Sequence, residues 1–270
     1  MLNSMKDMLE IALPYLSSDL VESEALFALK KTTQLLPNFS KAIGFECRLS
    51  ENKQVDLFSL YRPVCNTLNF LSIHPIWKNL NYFCQEWYQT NSLINLAVNN
   101  IWLEFDLENT DISSFPLPSV FISFKRKFEG DIYNLLLYIC RRLDYWISEE
   151  FKDFLNQLVR CLSKSTKIHH VGLMFSRSTG TIKLVLHESN NQKELEYLDY
   201  IGWYNSKSYF QDLVQELLQF VDYVRILSLD LDKNVCSAIG VECYLDEKMN
   251  KGLRWQQLLD HLVERKLCTP

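Results

Sequence analysis

The chain is poor in the residues that build linkers and cofactor cradles. Glycine and proline number only seven each in 270 residues, which leaves little material for long linkers or disordered tails. No G-x-x-x-x-G-K-[ST], G-x-G-x-x-G or G-x-S-x-G occurs, so ATPase, dinucleotide and hydrolase chemistry find no support. Positive charge is not in excess: Lys and Arg number 28 against 33 Asp and Glu, a net charge of −5. A nucleic-acid partner, which needs a basic patch, is therefore not expected. No apolar run reaches the ~18 residues of a spanning helix, so no membrane span is expected. Asp7, Glu10 and Pro14 interrupt the apolar part of the N-terminus, which spoils a signal peptide and makes a cytoplasmic protein the expectation. The eight cysteines are scattered, and no two stand in C-x-x-C spacing. That is neither a zinc framework nor a disulfide scaffold, and reduced, structural thiols are expected.

What is present is a repeated strand pattern. Ile239-Gly-Val-Glu-Cys-Tyr-Leu245 has an echo in Ile43-Gly-Phe-Glu-Cys-Arg-Leu49, and a looser one in Ile101-Trp-Leu-Glu-Phe-Asp-Leu107. Each alternates with the period of 2 that a strand imposes. Ile239, Val241, Cys243 and Leu245 share one face, as do Ile43, Phe45, Cys47 and Leu49, and Ile101, Leu103, Phe105 and Leu107. Glu242, Glu46 and Glu104 then sit at mid-strand on the opposite face.

The chain reads as four helix-plus-hairpin units and a closing helix. Residues 1–36 are helical in pattern, with Ser18 or Asp19 as a cap before Leu20–Leu36, and Pro37 ends them. A hairpin of Ile43–Leu49 and Val55–Tyr61 follows. A helix over Pro75–Ala97 carries Ile76, Leu80, Phe83, Cys84 and Trp87 at helical spacing. Ile101–Leu107 then pairs with Ser119–Lys125. The stripe from Gly130 to Ser163 predicts one long helix or two broken near Ser148. Val171–Arg177 and Thr181–His187 form a hairpin around Ser178-Thr179-Gly180. After a polar stretch come a helix at Tyr209–Val221, a hairpin of Val224–Leu231 with Ile239–Leu245, and a last helix at 253–267. The units (1–61, 76–125, 130–187 and 208–245) recur at about 55 to 67 residues. The expected fold is α+β in a single domain 1–270, an antiparallel sheet or barrel with helices over its apolar face.

The other face collects Glu46, Arg48, Trp102, Glu104, Asp106, Ser123, Lys125, Lys183, His187, Ser228, Asp230, Glu242 and Tyr244. So many ionisable groups cannot be packed dry, so this face is expected to meet water. Glu46, Glu104 and Glu242 are the candidate catalytic carboxylates. Arg48, Trp102, Lys125, Lys183, His187 and Tyr244 are the candidate ligand-binding residues. No motif names a cofactor. Asp230-Leu-Asp232 and Asp106–Asp111 do not form a dedicated Mg²⁺-diphosphate motif. His169 and His170, adjacent on a strand, point to opposite faces and do not make a metal pair.

Helix–strand–strand units with a polar inner face resemble the ABBA-type aromatic and peptide prenyltransferases. The resemblance is one of architecture and spans most of the chain, although four units are counted where that family usually has five. It implies that Glu46, Glu104 or Glu242 positions an acceptor. Arg48, Lys125 and Lys183 would then face a diphosphate, while Trp102 and Tyr244 would shield an allylic cation. The other reading is a non-catalytic binding or interaction module, recognising a peptide or protein partner with the same face. Outward Glu, Arg and Lys are often merely solvated, but Trp102 and Tyr244 among them point to a ligand or partner.

Overall fold

The computed structural model describes residues 4–16, 18, 21–36, 40–47, 55–61, 74–107, 116–162, 166–177, 181–187, 191–203, 207–232, 235–245 and 251–268. Among them nine helices and eight antiparallel strands make an α+β fold of helices and hairpins. By its internal contacts the chain forms two compact units, Met1–Ser148 with His170–Thr181, and Glu149–His169 with Ile182–Pro270. The third helix-plus-hairpin unit of the sequence, 130–187, is thus divided between them.

The first compact unit begins with α1 (Met5–Ala12), capped by Ser4 Oγ accepting from Asp7 N at 3.0 Å, and α2 (Ser23–Leu35). Its strands are β1 (Ser40–Cys47), β2 (Val55–Tyr61), β3 (Val98–Phe105), β4 (Ser119–Phe124) and β5 (Lys167–Leu173), of which it holds His170 onward. They neighbour one another in chain order. The register aligns Phe45, Leu57 and Phe105 in one row, and Ile101, Ile122 and Val171 in another. Val55, Leu57, Ile101, Leu103, Phe105, Val120, Ile122, Val171 and Leu173 are all buried. Burying each such side chain is worth about 1.5–3 kcal/mol. The apolar faces assigned from alternation in β1 and β3 therefore lie on the core side, with those of β1 half-buried.

The helix expected over Pro75–Ala97 is two. In α3 (Pro75–Tyr88) proline occupies the first turn, and His74 Nδ1 accepts from Ile76 N at 3.3 Å. Asn91 then takes a left-handed φ of 69°, a conformation asparagine tolerates and a helix interior does not. Ser92 restarts the chain as α4 (Leu93–Ala97), its Oγ accepting from Asn95 N at 3.0 Å. The break is sealed by Asn95 Nδ2 donating to Trp87 O at 2.7 Å and Trp87 Nε1 donating to Val98 O at 3.1 Å. The stripe from Gly130 is likewise α5 (Ile132–Arg142) and α6 (Glu149–Arg160), separated at Asp144 with φ 57°.

The second compact unit holds α6, α7 (Asn191–Tyr200), α8 (Lys207–Leu217), α9 (Lys251–Glu264) and strands β6 (Ile182–His187), β7 (Tyr223–Leu231) and β8 (Val235–Tyr244). These strands also neighbour one another in chain order. Leu184 faces Leu229, which faces Ile239, on the apolar side. Helix α7 falls where the sequence reads as a polar stretch. Its described anchors include the buried Tyr197 and Leu198, with Tyr197 Oη donating to Leu158 O at 3.2 Å.

Candidate functional site

On the second face of the β1–β5 run, the register sets the rows. Glu46 lies opposite Asp56, Phe58 opposite both Gly44 and Glu104, and Glu104 opposite Ser119. The next row is Leu60, Trp102, Phe121 and Gly172, and beyond it Ser123 faces His170. An acidic end therefore passes into an aromatic belt and then into a Ser–His pair, with Ser123 Oγ 2.7 Å from His170 Nδ1. Trp102 is half-buried, edge-on to Phe58 at 6.0 Å between centroids.

Glycine makes the belt possible. A Cβ on Gly172 would lie 2.5 Å from Phe121 Cε1, and one on Gly44 2.3 Å from Phe58 Cε2. Each phenylalanine ring therefore lies over a bare backbone on the neighbouring strand. This fits the close approach for which strands use glycine.

The acidic end is organised by a turn. Strand β5 ends at Leu173, four residues earlier than the alternation suggests, and Arg177 N donates to Met174 O at 3.1 Å. That turn brings Ser176 and Arg177 to the β3 carboxylates. Arg177 grips Asp106 with two donors, Nε to Oδ2 at 3.2 Å and Nη2 to Oδ1 at 3.3 Å, and its Nη2 also reaches Glu104 Oε1 at 3.4 Å. Ser176 Oγ donates to Asp106 Oδ2 at 2.5 Å and lies 2.6 Å from Ser119 Oγ. Asp56, 2% exposed, accepts from Leu107 N at 3.4 Å. Planar two-donor pairing of this kind is stronger and more directional than a point-charge contact. Even so, Glu46, Asp56, Glu104 and Asp106 outnumber Arg177 four to one among the described side chains of this end.

The sequence-derived candidates separate. Glu46, exposed, and Trp102 and Glu104, half-buried, share this face. Lys125 does not join them: β4 stops at Phe124, Lys125 N donates to Ala97 O at 2.8 Å, and its exposed Nζ donates to Asn95 O. Arg48 lies outside the described residues, as does the side chain of His187 at the end of β6. In the second compact unit, Lys183 stands opposite Asp230 with Nζ 3.7 Å from Oδ1. Tyr244 stacks on Tyr223 at 5.1 Å and donates its hydroxyl to the exposed Glu242. Ser176 and Arg177 escaped the sequence reading because period-2 alternation carried the strand through to Arg177. Asp106 was placed on the right face, but nothing in its spacing marked the guanidinium it meets.

The thiols offer no activated nucleophile among the groups whose titration is shifted. Burial pushes Cys47, Cys84 and Cys243 up from the ordinary thiol value. The six cysteines with described side chains form no disulfide; the side chains of Cys65 and Cys236 fall outside the described set. Among the described residues no group of three or more His, Cys, Asp or Glu is placed to hold a metal ion, and no helix is long and apolar enough to cross a membrane. No protein-family model matches the chain, and neither a curated protein nor a solved structure matches it. The resemblance to ABBA-type prenyltransferases accordingly rests on the order of elements alone.

Proposed function

We propose that this protein is a non-catalytic binding module that takes a cationic, extended segment of a partner protein on the β1–β5 face. The observation that carries this reading is the charge balance of the acidic end. Among the described side chains, the carboxylates of Glu46, Asp56, Glu104 and Asp106 stand there with the guanidinium of Arg177, which is itself held by Asp106 and Glu104. Such an end favours a Lys- or Arg-bearing segment, and the adjoining Phe58–Trp102 pair offers π faces to the same cations or to their aliphatic stems. Exposed Glu46 is the group best able to meet such a partner without first losing another contact.

A prenyltransferase-like site is the competing reading, and the same residues weigh against it. A diphosphate needs unengaged cations, whereas Arg177 serves carboxylates, Lys125 serves the Asn95 carbonyl and Lys183 sits across from Asp230. Calorimetric titration separates the two. A short peptide of alternating lysine and leucine is expected to bind, and Glu46→Gln is expected to weaken it several-fold with the fold intact. Dimethylallyl and geranyl diphosphates, beside inorganic pyrophosphate, are expected not to bind at millimolar concentration. A prenyl diphosphate that binds where the lysine peptide does not would reverse the assignment.

A further inference from the structure

We infer a second docking site, for an acidic segment of a partner protein, in the groove between α3, α4 and α5. The groove encloses about 450 Å³ and is lined by Tyr82, Gln85, Glu86, Leu93, Tyr138 and Arg142 among others. At its base Glu86, its side chain 12% exposed, accepts the Tyr138 hydroxyl at 2.6 Å on Oε1 and pairs with Arg142 Nε at 2.9 Å on Oε2. Oε1 is thus hydrogen-bonded, whereas Oε2, buried, meets the guanidinium Nε as an ion pair without hydrogen-bond geometry. The Nη atoms of Arg142 have no partner among the described residues. A guanidinium held by charge on one edge and open on the other can receive a carboxylate, and the ion pair to Glu86 already limits part of its side-chain freedom before binding.

The surroundings specify the rest of the occupant. Lys78 Nζ stands 5.9 Å from the centre of the Tyr82 ring, adding a second positive charge on α3. The hydrogen bond to Glu86 raises the Tyr138 pKa, so the phenol stays a neutral donor. Tyr82, Tyr88, Leu93 and Leu96, all on α3 and α4, are exposed. Acidic groups to meet Arg142 and Lys78, interleaved with apolar side chains to cover Tyr82 and Leu93, make the complementary segment. This site is independent of the β1–β5 face and selects the opposite charge.

The test is fluorescence anisotropy of the full chain with a short labelled peptide of alternating glutamate and leucine, beside its glutamine-for-glutamate counterpart. The glutamate peptide is expected to bind, and the glutamine peptide at least about tenfold more weakly. Arg142→Gln is expected to weaken the glutamate peptide by about tenfold or more, while Glu46→Gln leaves it unchanged. Should Arg142→Gln fail to fold, Tyr82→Ser carries the same comparison, since Tyr82 is a surface side chain. Equal affinity for the two peptides, or a glutamate peptide insensitive to every groove variant that folds, would overturn the inference.

Discussion

Replacing Arg177 with methionine keeps much of its aliphatic length and removes the guanidinium that joins the β5 turn to β3. Three charged hydrogen bonds of 3.2–3.4 Å vanish. Glu104 and Asp106, whose side chains are only 15% and 11% exposed, are left as near neighbours of like charge. Breaking a fully buried pair costs 3–5 kcal/mol and an exposed one under 1. The Arg177 side chain is 36% exposed, and Ser176 still donates to Asp106, so the cost falls between these limits at about 2 kcal/mol. For a chain of this size that corresponds to a melting temperature lower by about 4–8 °C. Thermal melts followed by circular dichroism give the single-variant value, and a cycle with Asp106→Asn gives the coupling. In the Arg177→Met background, Asp106→Asn should cost less than it does in the parent, because the guanidinium that Asp106 pairs with is already gone. A melting temperature within 1 °C of the parent, or additive effects in the cycle, would refute the view that Arg177 stabilises this end.

The glycines under the aromatic belt make a second test. Gly172→Ala is expected to cost about 1–3 kcal/mol as the new methyl displaces the Phe121 ring, whereas Gly252→Ala, with nothing within 4 Å in α9, should be neutral or slightly stabilising; paired urea melts compare them. On β8, Val241→Asp, which puts a charge opposite Leu227, should cost about 2 kcal/mol or more, while exposed Glu242→Gln should stay within about 0.5 kcal/mol, and thermal melts showing the reverse would put the strand register off by one residue. Burial raises the Tyr61 and Tyr197 phenols above their ordinary value of 10.0; the folded state therefore holds these protons more tightly than the unfolded one, and stability present below pH 10 is lost as pH rises beyond it. Urea midpoints across that range should fall less steeply in Tyr61→Phe than in the parent.

Much of the fold is legible because it follows from alternation. The core faces of β1 and β3 and the pairing of Ile101–Leu107 with 119 onward need only a period of 2 and one buried side. What escaped were features set by a few local or distant atoms. Asn91 breaks a helix whose apolar stripe runs on unbroken, and only its φ of 69° reveals the stop. Helix α7 is hidden because its apolar anchors are outnumbered by charges. The candidate site was legible as a face and not as a network. Glu104 could be placed by counting, but its meeting with Arg177, 73 positions away in the chain, depends on where β5 ends. Alternation through Met174–Arg177 conceals that end. Lys125 fails to reach the face for the same reason, since a strand one residue shorter turns its last side chain elsewhere.

The division of the chain has a consequence for biosynthesis. The compact unit that begins at Met1 is interrupted after Ser148 and resumes only at His170, and Arg177 belongs to the resumed piece. A ribosome that has just added Ser148 has delivered four strands of this unit but not the guanidinium that pairs with Glu104 and Asp106, nor the glycine on which the Phe121 ring rests. Chains generally fold as they emerge, N-terminal parts first. Here the first unit must wait through the synthesis of α6 and the opening residues of β5 before Arg177 can reach Glu104 and Asp106. A stop codon between Ser148 and His170 would therefore release a polypeptide lacking the Arg177 contacts to Glu104 and Asp106 and with an uncovered β4 edge, a species for chaperones and proteases rather than a working half-molecule.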